Sequence, residues 1–459
     1  MDSRAMEEHF TVTIHPQLRA QLDLLLLKRC LRDHKHLQNF PPLLPALERC
    51  IYNSRTSFDA VLQSLATTAS KTPSLILAPR ALAALCHALR SSSPYADARL
   101  PDLQLSCLGG RDFFPCNPEA YDVASMRCVE LCVQTAQIPK ESGQSAPAPP
   151  PPGGWATARA PARVDLAGGW TDTPPICYEV GGRVVNLAIT VNGRKPIGAR
   201  ARRLPGRPVI IIATRDNDPA RDNGDKPPPG LTSPRSPLSR RPSSAPSSRV
   251  VVSLAADLDC SDPTAAGSLA KAVLQVIGGL SPSAEKGSLT EQLQGDGGFE
   301  IETWSELPHG SGLGTSSILA GAVCAAVGAL LRRTLGPTAL AHAVLQVEQR
   351  LTTGGGWQDQ LGGLIGGAKL CSCNASLPLE VQCESLPLKP SAQRLLSEHL
   401  QLIFTGQVRL AKNLLRDVLN RWLLGKPKSV NNIANLVSTA DAMAKAIREA
   451  DIPSIGVRL

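Results

Sequence analysis

The sequence predicts an α+β fold, and three observations carry that prediction. Strand-like and helix-like runs are intermixed without the regular βαβ alternation of a doubly wound sheet. The alternating run Phe299-Glu-Ile-Glu-Thr-Trp304 reads as a strand and leads straight into a glycine loop, Pro308-His-Gly-Ser-Gly-Leu-Gly-Thr-Ser-Ser317. The loop in turn feeds an Ala/Leu-rich run from Ser316 that stops at Arg332-Arg333 and reads as a helix.

Taken in order, residues 1–142 read as mainly helical. Gln21-Leu-Asp-Leu-Leu-Leu-Leu-Lys28 and Ala81-Leu-Ala-Ala-Leu-Cys-His-Ala-Leu89 have the apolar spacing of short helices, with breaks at Phe40-Pro-Pro and Ser93-Pro. A Pro/Gly-rich linker follows at 143–154, stiff and solvated by composition. Beyond it, Thr157–Ala167, Arg183–Val191, Pro208–Thr214 and Val250–Leu254 read as strands, and Gly267–Leu280 as a helix. Between the third and fourth strands, at about 215–249, a Pro/Ser/Arg/Asp stretch with few apolar residues reads as a disordered surface insertion. No repeat of 20–50 residues is visible.

Composition narrows the function. At 459 residues and 42% hydrophobic, the chain can bury cores for two or three domains. The net charge of +9 suits an anionic partner, but many arginines fall in the insertion and the rest are dispersed. Aromatics make up 3%, and no basic stripe carries interleaved rings, so nucleic acid is not the expected partner. Thirteen cysteines occur without a Cys-x-x-Cys pair, and the first residues, Met1-Asp-Ser-Arg-Ala-Met-Glu-Glu-His, are charged where a secretory signal would be apolar. A cytoplasmic protein with buried thiols is the expectation. Gly310–Leu331 carries no charge, yet only about 14 of its residues are truly apolar, against the ~20 of a membrane span.

The glycine loop carries the sharpest chemistry. Alternate glycines let a backbone turn tightly and bring N–H groups close to a ligand, and the helix behind adds free N–H groups and a positive dipole end. The anion to expect is phosphate, and hence a nucleotide. The loop lacks the Gly-Lys-Ser/Thr ending of a P-loop and the glycine spacing of a Rossmann turn. Read alone, it is also compatible with a plain cap on a core helix.

Two further clusters stand beside it. Val347-Glu-Gln-Arg-Leu-Thr-Thr-Gly-Gly-Gly-Trp-Gln-Asp-Gln360 runs from a helix, starting near Thr338, through three glycines to Asp359. One glycine suffices for a C-cap, so three imply close approach of backbone to something. Glu348 and Asp359 are two carboxylates that can divide cation binding and proton acceptance between them. The third cluster, Ala160-Pro-Ala-Arg-Val-Asp-Leu-Ala-Gly-Gly-Trp-Thr-Asp172, ends a strand in glycines and displays Arg163, Trp170, Thr171 and Asp172. It reads either as a polar turn or as a grip for a sugar.

Together these motifs resemble the GHMP family of small-molecule kinases, in the wording of its fucokinase branch, over roughly 155–440. The segment Phe404-Thr-Gly-Gln-Val-Arg-Leu-Ala-Lys-Asn-Leu-Leu415 is similar to one shared by fucose and heptose kinases. The resemblance implies a GHMP kinase fold: a ribosomal S5-like N-terminal lobe at 155–365 and a partial, ferredoxin-like C-terminal lobe at 366–459. Residues 1–142 would be the mainly helical spacer of long fucokinases. It implies ATP and Mg²⁺ as cofactors, a sugar as the other substrate, and transfer to the anomeric hydroxyl of L-fucose. Pro308, Gly310, Ser311, Gly312, Leu313, Gly314, Thr315, Ser316 and Ser317 would then cradle the ATP phosphates. Ser316 and Glu348 would hold Mg²⁺, with Asp359 orienting or deprotonating the attacking hydroxyl. Arg163 would steady negative charge, while Asp172, Thr171, Trp170 and Gly355 would meet the sugar.

The family also has a glycine-rich Gly-x-Gly-Gly-Gly loop in its C-terminal lobe, and none follows Gly367. The sequence is therefore expected to be truncated at both ends relative to long fucokinases.

Overall fold

A computed structural model describes residues 24–25, 43–53, 55–91, 100–110, 112–135, 138, 148–151, 153–215, 247–293, 297–308, 310–333, 335–351, 354–376, 379–403 and 411–458. Most of Gln21–Lys28, the two proline breaks, 143–147 of the linker, 216–246 of the insertion and 404–410 lie outside the described residues.

The chain divides into two units, one of residues 1–132 with 417–432, the other of 133–416 with 433–459. The division falls after Cys132, ahead of the proline-rich stretch, and assigns 417–432 to the first unit rather than to a C-terminal lobe.

The first unit contains α1 (Leu43–Asn53), α2 (Arg55–Lys71), α3 (Leu77–Arg90), a two-stranded ribbon of β1 (Leu103–Gln104) and β2 (Phe113–Phe114), and most of α4 (Pro118–Thr135). Leu47, Phe58, Leu62, Leu82, Tyr121 and Leu423 share its core. Arg80 is wholly buried there and donates to Leu423 O at 3.1 Å.

The second unit is built on two sheets. The run read as one strand over 157–167 is broken at Pro161 into β3 (Ala156–Ala160) and β4 (Ala162–Ala167), which join different sheets. Proline has no N–H for a ladder, so the chain changes partners there. Next come α5 (Ile176–Val180), β5 (Gly182–Ile189), β6 (Ile197–Leu204), β7 (Ile210–Arg215), β8 (Ser248–Val252), α6 (Ser268–Val276), α7 (Leu289–Gln292) and β9 (Gly298–Ser305). The remainder are α8 (Thr315–Leu330), α9 (Pro337–Arg350), α10 (Gln358–Leu364), β10 (Ala368–Cys373), β11 (Val381–Ser385), α11 (Pro390–His399), the start of α12 (Ala411–Leu423), α13 (Pro427–Glu449) from Ile433 onward and α14 (Ile452–Arg458), the rest of α12 and the first turns of α13 belonging to the first unit.

The five-stranded sheet has the order β3-β6-β9-β7-β8, antiparallel except for the parallel pair β7/β9. Ala199, Ala201, Ile212 and Ile301 share a core with Val323 and Val327 of α8 and Val344 of α9. The alanines leave room for α8, and each buried valine contributes about 1.5–3 kcal/mol. The opposite register positions are charged: Arg200 and Arg215 both pair with Glu302, at 2.6 and 2.7 Å, and Arg202 with Glu300 at 2.5 Å. Burial opposes the charge on Glu302, yet Arg215 and Arg200 hold its carboxyl below the usual range. Part of the positive charge of the chain is thus neutralised within this ladder. No helix among the described residues is long and apolar enough to cross a membrane.

The four-stranded sheet, β11-β10-β5-β4, is antiparallel throughout. Leu166, Val185 and Leu370 pack with Met443, Ala444 and Ile447 of α13 and Ile455 of α14. Arg163, Asp165, Asn186 and Lys369 belong to the other face, toward α10.

Candidate active site

The glycine loop is held by its own backbone conformation. Gly310, Gly312 and Gly314 have φ of 69°, 75° and 73°, the left-handed region where only glycine is at ease. Ser311 N–H donates to Pro308 O at 3.2 Å, closing the turn. Gly314 is the N-cap of α8, and Ile318 donates back to Gly314 O at 3.0 Å. The N–H groups of Thr315, Ser316 and Ser317 precede the first intrahelical bond and stay available to an anion. Ser311 Oγ and Thr315 Oγ1 are buried without a hydrogen-bond partner among the described residues, two donors open to a ligand acceptor.

That loop lies on the first cluster. Arg163 N–H donates to Leu313 O at 3.4 Å. A Cβ at Gly314 would stand 3.1 Å from both Cγ and Nε of Arg163 and 3.3 Å from Asp359 Cβ. Arg163 Nη2 donates to Asp359 Oδ1, while Arg163 Nε is buried without a partner. The Asp359 side chain keeps 27% of its surface open, so the ion pair is reachable from solvent. Residues 163, 314 and 359, far apart in sequence, thus meet at one point.

The three glycines before Trp357 approach the protein's own side chains. Gly354 backs onto Leu415, where an added Cβ would stand 3.1 Å from Cδ2. At Gly355 it would come within 2.4 Å of Glu348 Oε2, and at Gly356 within 1.9 Å of Asp172 Oδ2. The glycines therefore let the backbone lie directly on two buried carboxylates. Gly355, expected at the sugar, has this packing role in the structure.

Two other expectations require correction. Thr171 is wholly buried, and its hydroxyl lies 2.8 Å from Gly168 O and 3.0 Å from Arg183 O while accepting from Arg183 N–H at 2.9 Å. It ties the turn to β5, its one O–H taken by these backbone carbonyls. Asp172 is also wholly buried, accepting Trp170 N–H through Oδ1 and Gln358 N–H through Oδ2, both at 3.1 Å. It brackets the turn to the start of α10 instead of facing a ligand. Trp170, at φ 80°, remains half-buried on that turn.

Glu348 is reached by Ser317, whose Oγ donates to its Oε1, while Ser316, the expected cation ligand, is exposed one residue earlier. Ser317 as the partner was not legible, because adjacent hydroxyls at a helix start differ only in the direction they point. Burial raises the Glu348 carboxyl to about 8, Ser317 working against it and the Asp359 and Asp172 charges adding to it. Asp172 is raised to about 7 and Asp165 to about 6, both chiefly by burial and both further by Asp359. Four carboxylates therefore share one neighbourhood in which Arg163 pairs with Asp359. Such a site favours a cation.

These shifts set a pH dependence. A carboxyl raised in the fold keeps a proton that the unfolded chain has released, so its contribution to stability falls as pH rises. Glu348→Gln removes one such group. Its Tm relative to the native protein should climb between about pH 5 and 8 in metal-free buffer, the window bounded above by the Glu348 value of about 8. Thermal unfolding of both proteins across that range checks this, and a constant difference would refute the buried, proton-holding state of Glu348.

With this geometry in hand, residues 279–367 match the family description of the GHMP kinases N terminal domain. The chain is 33% identical over 299 residues to a bifunctional fucokinase/GDP-fucose pyrophosphorylase of Arabidopsis thaliana, covering 64% of this chain and 24% of that protein. It is 31% identical over 303 residues to an L-fucokinase/L-fucose-1-P guanylyltransferase of Bacteroides fragilis, covering 65% and 29%. The chain thus spans about a quarter of the length of these curated relatives. Among solved structures, a D-glycero-D-manno-heptose 1-phosphate kinase from Bacteroides thetaiotaomicron is 19% identical with a TM-score of 0.44, covering 66% of this chain and 76% of that one.

Proposed function

We propose, from the match of residues 279–367 to the GHMP kinases N terminal domain, that the protein is a kinase of this family and phosphorylates a sugar with ATP. The substrate we assign is L-fucose, with transfer to the anomeric hydroxyl giving L-fucose 1-phosphate, a precursor of GDP-fucose. One observation carries the reading: the last glycine of the anion loop lies against the Arg163–Asp359 pair, with 3.1 Å from its would-be Cβ to the guanidinium arm. A phosphate cradled by the loop and a hydroxyl held at Asp359 would meet there.

The residues fit the cofactors. Backbone N–H groups of the loop, with the unpartnered hydroxyls of Ser311 and Thr315, suit phosphate oxygens. Glu348, bonded by the hydroxyl of Ser317, itself one residue from the exposed Ser316, offers hard oxygen ligands in a neighbourhood short of positive charge, as Mg²⁺ requires. Among the described residues no three His, Cys, Asp or Glu converge as a metal cage, so a sparse set completed by phosphates and water is the arrangement in view. When bound, Mg²⁺ neutralises phosphate charge.

The chain's own groups then divide the work. Asp359 orients the sugar hydroxyl and takes its proton as the oxygen attacks the γ-phosphorus and the bond to the ADP oxygen breaks. Arg163 steadies the charge on the transferring group and holds Asp359 in place. The choice of L-fucose rests on the Arabidopsis and Bacteroides relatives, both named for fucokinase activity. We assign cytoplasmic action from a cysteine-rich composition without paired Cys-x-x-Cys spacing.

The test is ADP release from Mg-ATP with and without L-fucose, with heptoses and galactose beside it. Fucose-dependent release supports the assignment. Release with another sugar keeps the kinase and moves the substrate. Tight nucleotide binding without turnover on any sugar would replace the reading by that of a nucleotide-binding module.

A further inference from the structure

The helix that carries Asp359 cannot hold itself. It has seven residues and contains Gly362 and Gly363. Isolated helices shorter than about 12 residues are marginal in water, and each interior glycine costs about 1 kcal/mol more than alanine. The direction of Asp359 therefore depends on what grips α10 from outside.

One grip is at its start, where Asp172 accepts Gln358 N–H at 3.1 Å. From its middle, Gln360 Nε2 donates to Ala341 O at 3.3 Å, and a further grip lies beneath its end. On the sheet face under α10, Asp165 of β4, Asn186 of β5 and Lys369 of β10 are register neighbours. Gly362 rests on this row: an added Cβ would come 2.9 Å from Asn186 Cγ and 3.2 Å from Arg163 Cβ. Lys369 is 1% exposed, and its Nζ donates to Gly362 O at 2.6 Å.

Burying an ammonium is costly, and lysine is rarely so enclosed without a task. Here it meets a carbonyl of the last helical turn, where C=O groups lack intrahelical donors and the dipole is negative. Burial lowers its ammonium to about 8, with the thiols of Cys371 and Cys383 working against that shift, so it remains mostly cationic at neutral pH.

We propose that Lys369 is a positioning residue: by clamping Gly362 O it fixes the far end of α10 and so holds Asp359 against Arg163 and Gly314. Its effect on turnover rests on the sugar-kinase reading above, whereas its effect on the helix does not.

The experiment compares the native chain with Lys369→Met, which keeps bulk but removes charge and donor, and Lys369→Arg, which keeps both. With Lys369→Met, turnover at saturating substrates should fall about 10–100-fold, as expected for a misplaced catalytic group, with KM values for sugar and Mg-ATP within about three-fold. Amide exchange across 358–364 should quicken about ten-fold while β5 and the five-stranded sheet keep their protection. Lys369→Arg should recover part of both losses. Unchanged turnover, unchanged exchange in α10, or a loss appearing equally in KM would overturn the proposal. Should Lys369→Met not fold, Lys369→Gln, a shorter neutral donor, must give the same split. If the native chain phosphorylates no sugar, the kinase reading falls, and the exchange comparison still decides whether Lys369 holds the helix.

Discussion

Asp359→Asn is expected to abolish sugar-dependent ADP release, lowering turnover by about 10³-fold or more, while nucleotide affinity stays within about three-fold. Asparagine keeps the shape and leaves Arg163 an oxygen to donate to, so the ion-pair geometry at Oδ1 survives as a hydrogen bond. What it removes is the negative carboxylate that we assign as proton acceptor for the sugar hydroxyl. Nucleotide binding is spared because the phosphates are assigned to backbone N–H groups of 310–317, which do not touch the carboxylate's chemistry. Stopped single turnovers separate the two quantities. Activity that persists near the native level would remove Asp359 from the reaction and leave Arg163 with the loop as the site's working parts.

How much of this was readable beforehand differs by element. The strand into the glycine loop and the helix behind it were legible because the alternation of 299–304 and the Ala/Leu run after Ser316 each match one period. The strand Ile197–Leu204 escaped because its outward positions are arginines and its inward ones mostly alanines. Read without partners, Ala-Arg-Ala-Arg is not an apolar alternation; the glutamates of β9 and the ring of Trp155, 4.2 Å from Arg200, make it one side of a ladder. The short strands at 368–373 and 381–385 also gave no clear periodic signal. At the site, Arg163, Glu348, Asp359 and the loop are brought together, though their roles came from resemblance rather than spacing. Close approach at the three glycines was foreseen, but its object was not. The neighbours are the carboxylates of Glu348 and Asp172, and only tertiary contact could say so. In sequence, Thr171 and Asp172 read as sugar contacts because a carboxylate beside Arg, Trp and Thr suits sugar hydroxyls and the resemblance puts them there. The fold turned both inward, where backbone groups satisfy them. Asn186 and Lys369 carried no sequence signal, since a single polar residue in a strand is ordinarily a solvent-facing one.

Gly314→Ala is expected to cost turnover out of proportion to stability, and Gly312→Ala supplies the control. Both positions sit at nearly the same φ, 73° and 75°. Each alanine should therefore cost about 1–2 kcal/mol of backbone strain, visible as a similar drop in Tm. Their surroundings differ. Nothing stands within 4 Å of a Cβ at Gly312, whereas one at Gly314 meets Arg163 Cγ and Nε at 3.1 Å and Asp359 Cβ at 3.3 Å. Those contacts are tighter than van der Waals packing allows, and what must yield is the loop or the ion pair itself. A displacement of a few tenths of an ångström in either separates the proposed phosphate cradle from Asp359, the group proposed to orient the hydroxyl. Saturating turnover of Gly314→Ala should fall about 100-fold. Gly312→Ala, whose added methyl meets nothing within 4 Å, should leave saturating turnover within about three-fold. An equal loss of turnover in both variants would mean that the glycines act only through backbone strain. The contact between loop and ion pair would then not be where phosphate and hydroxyl meet.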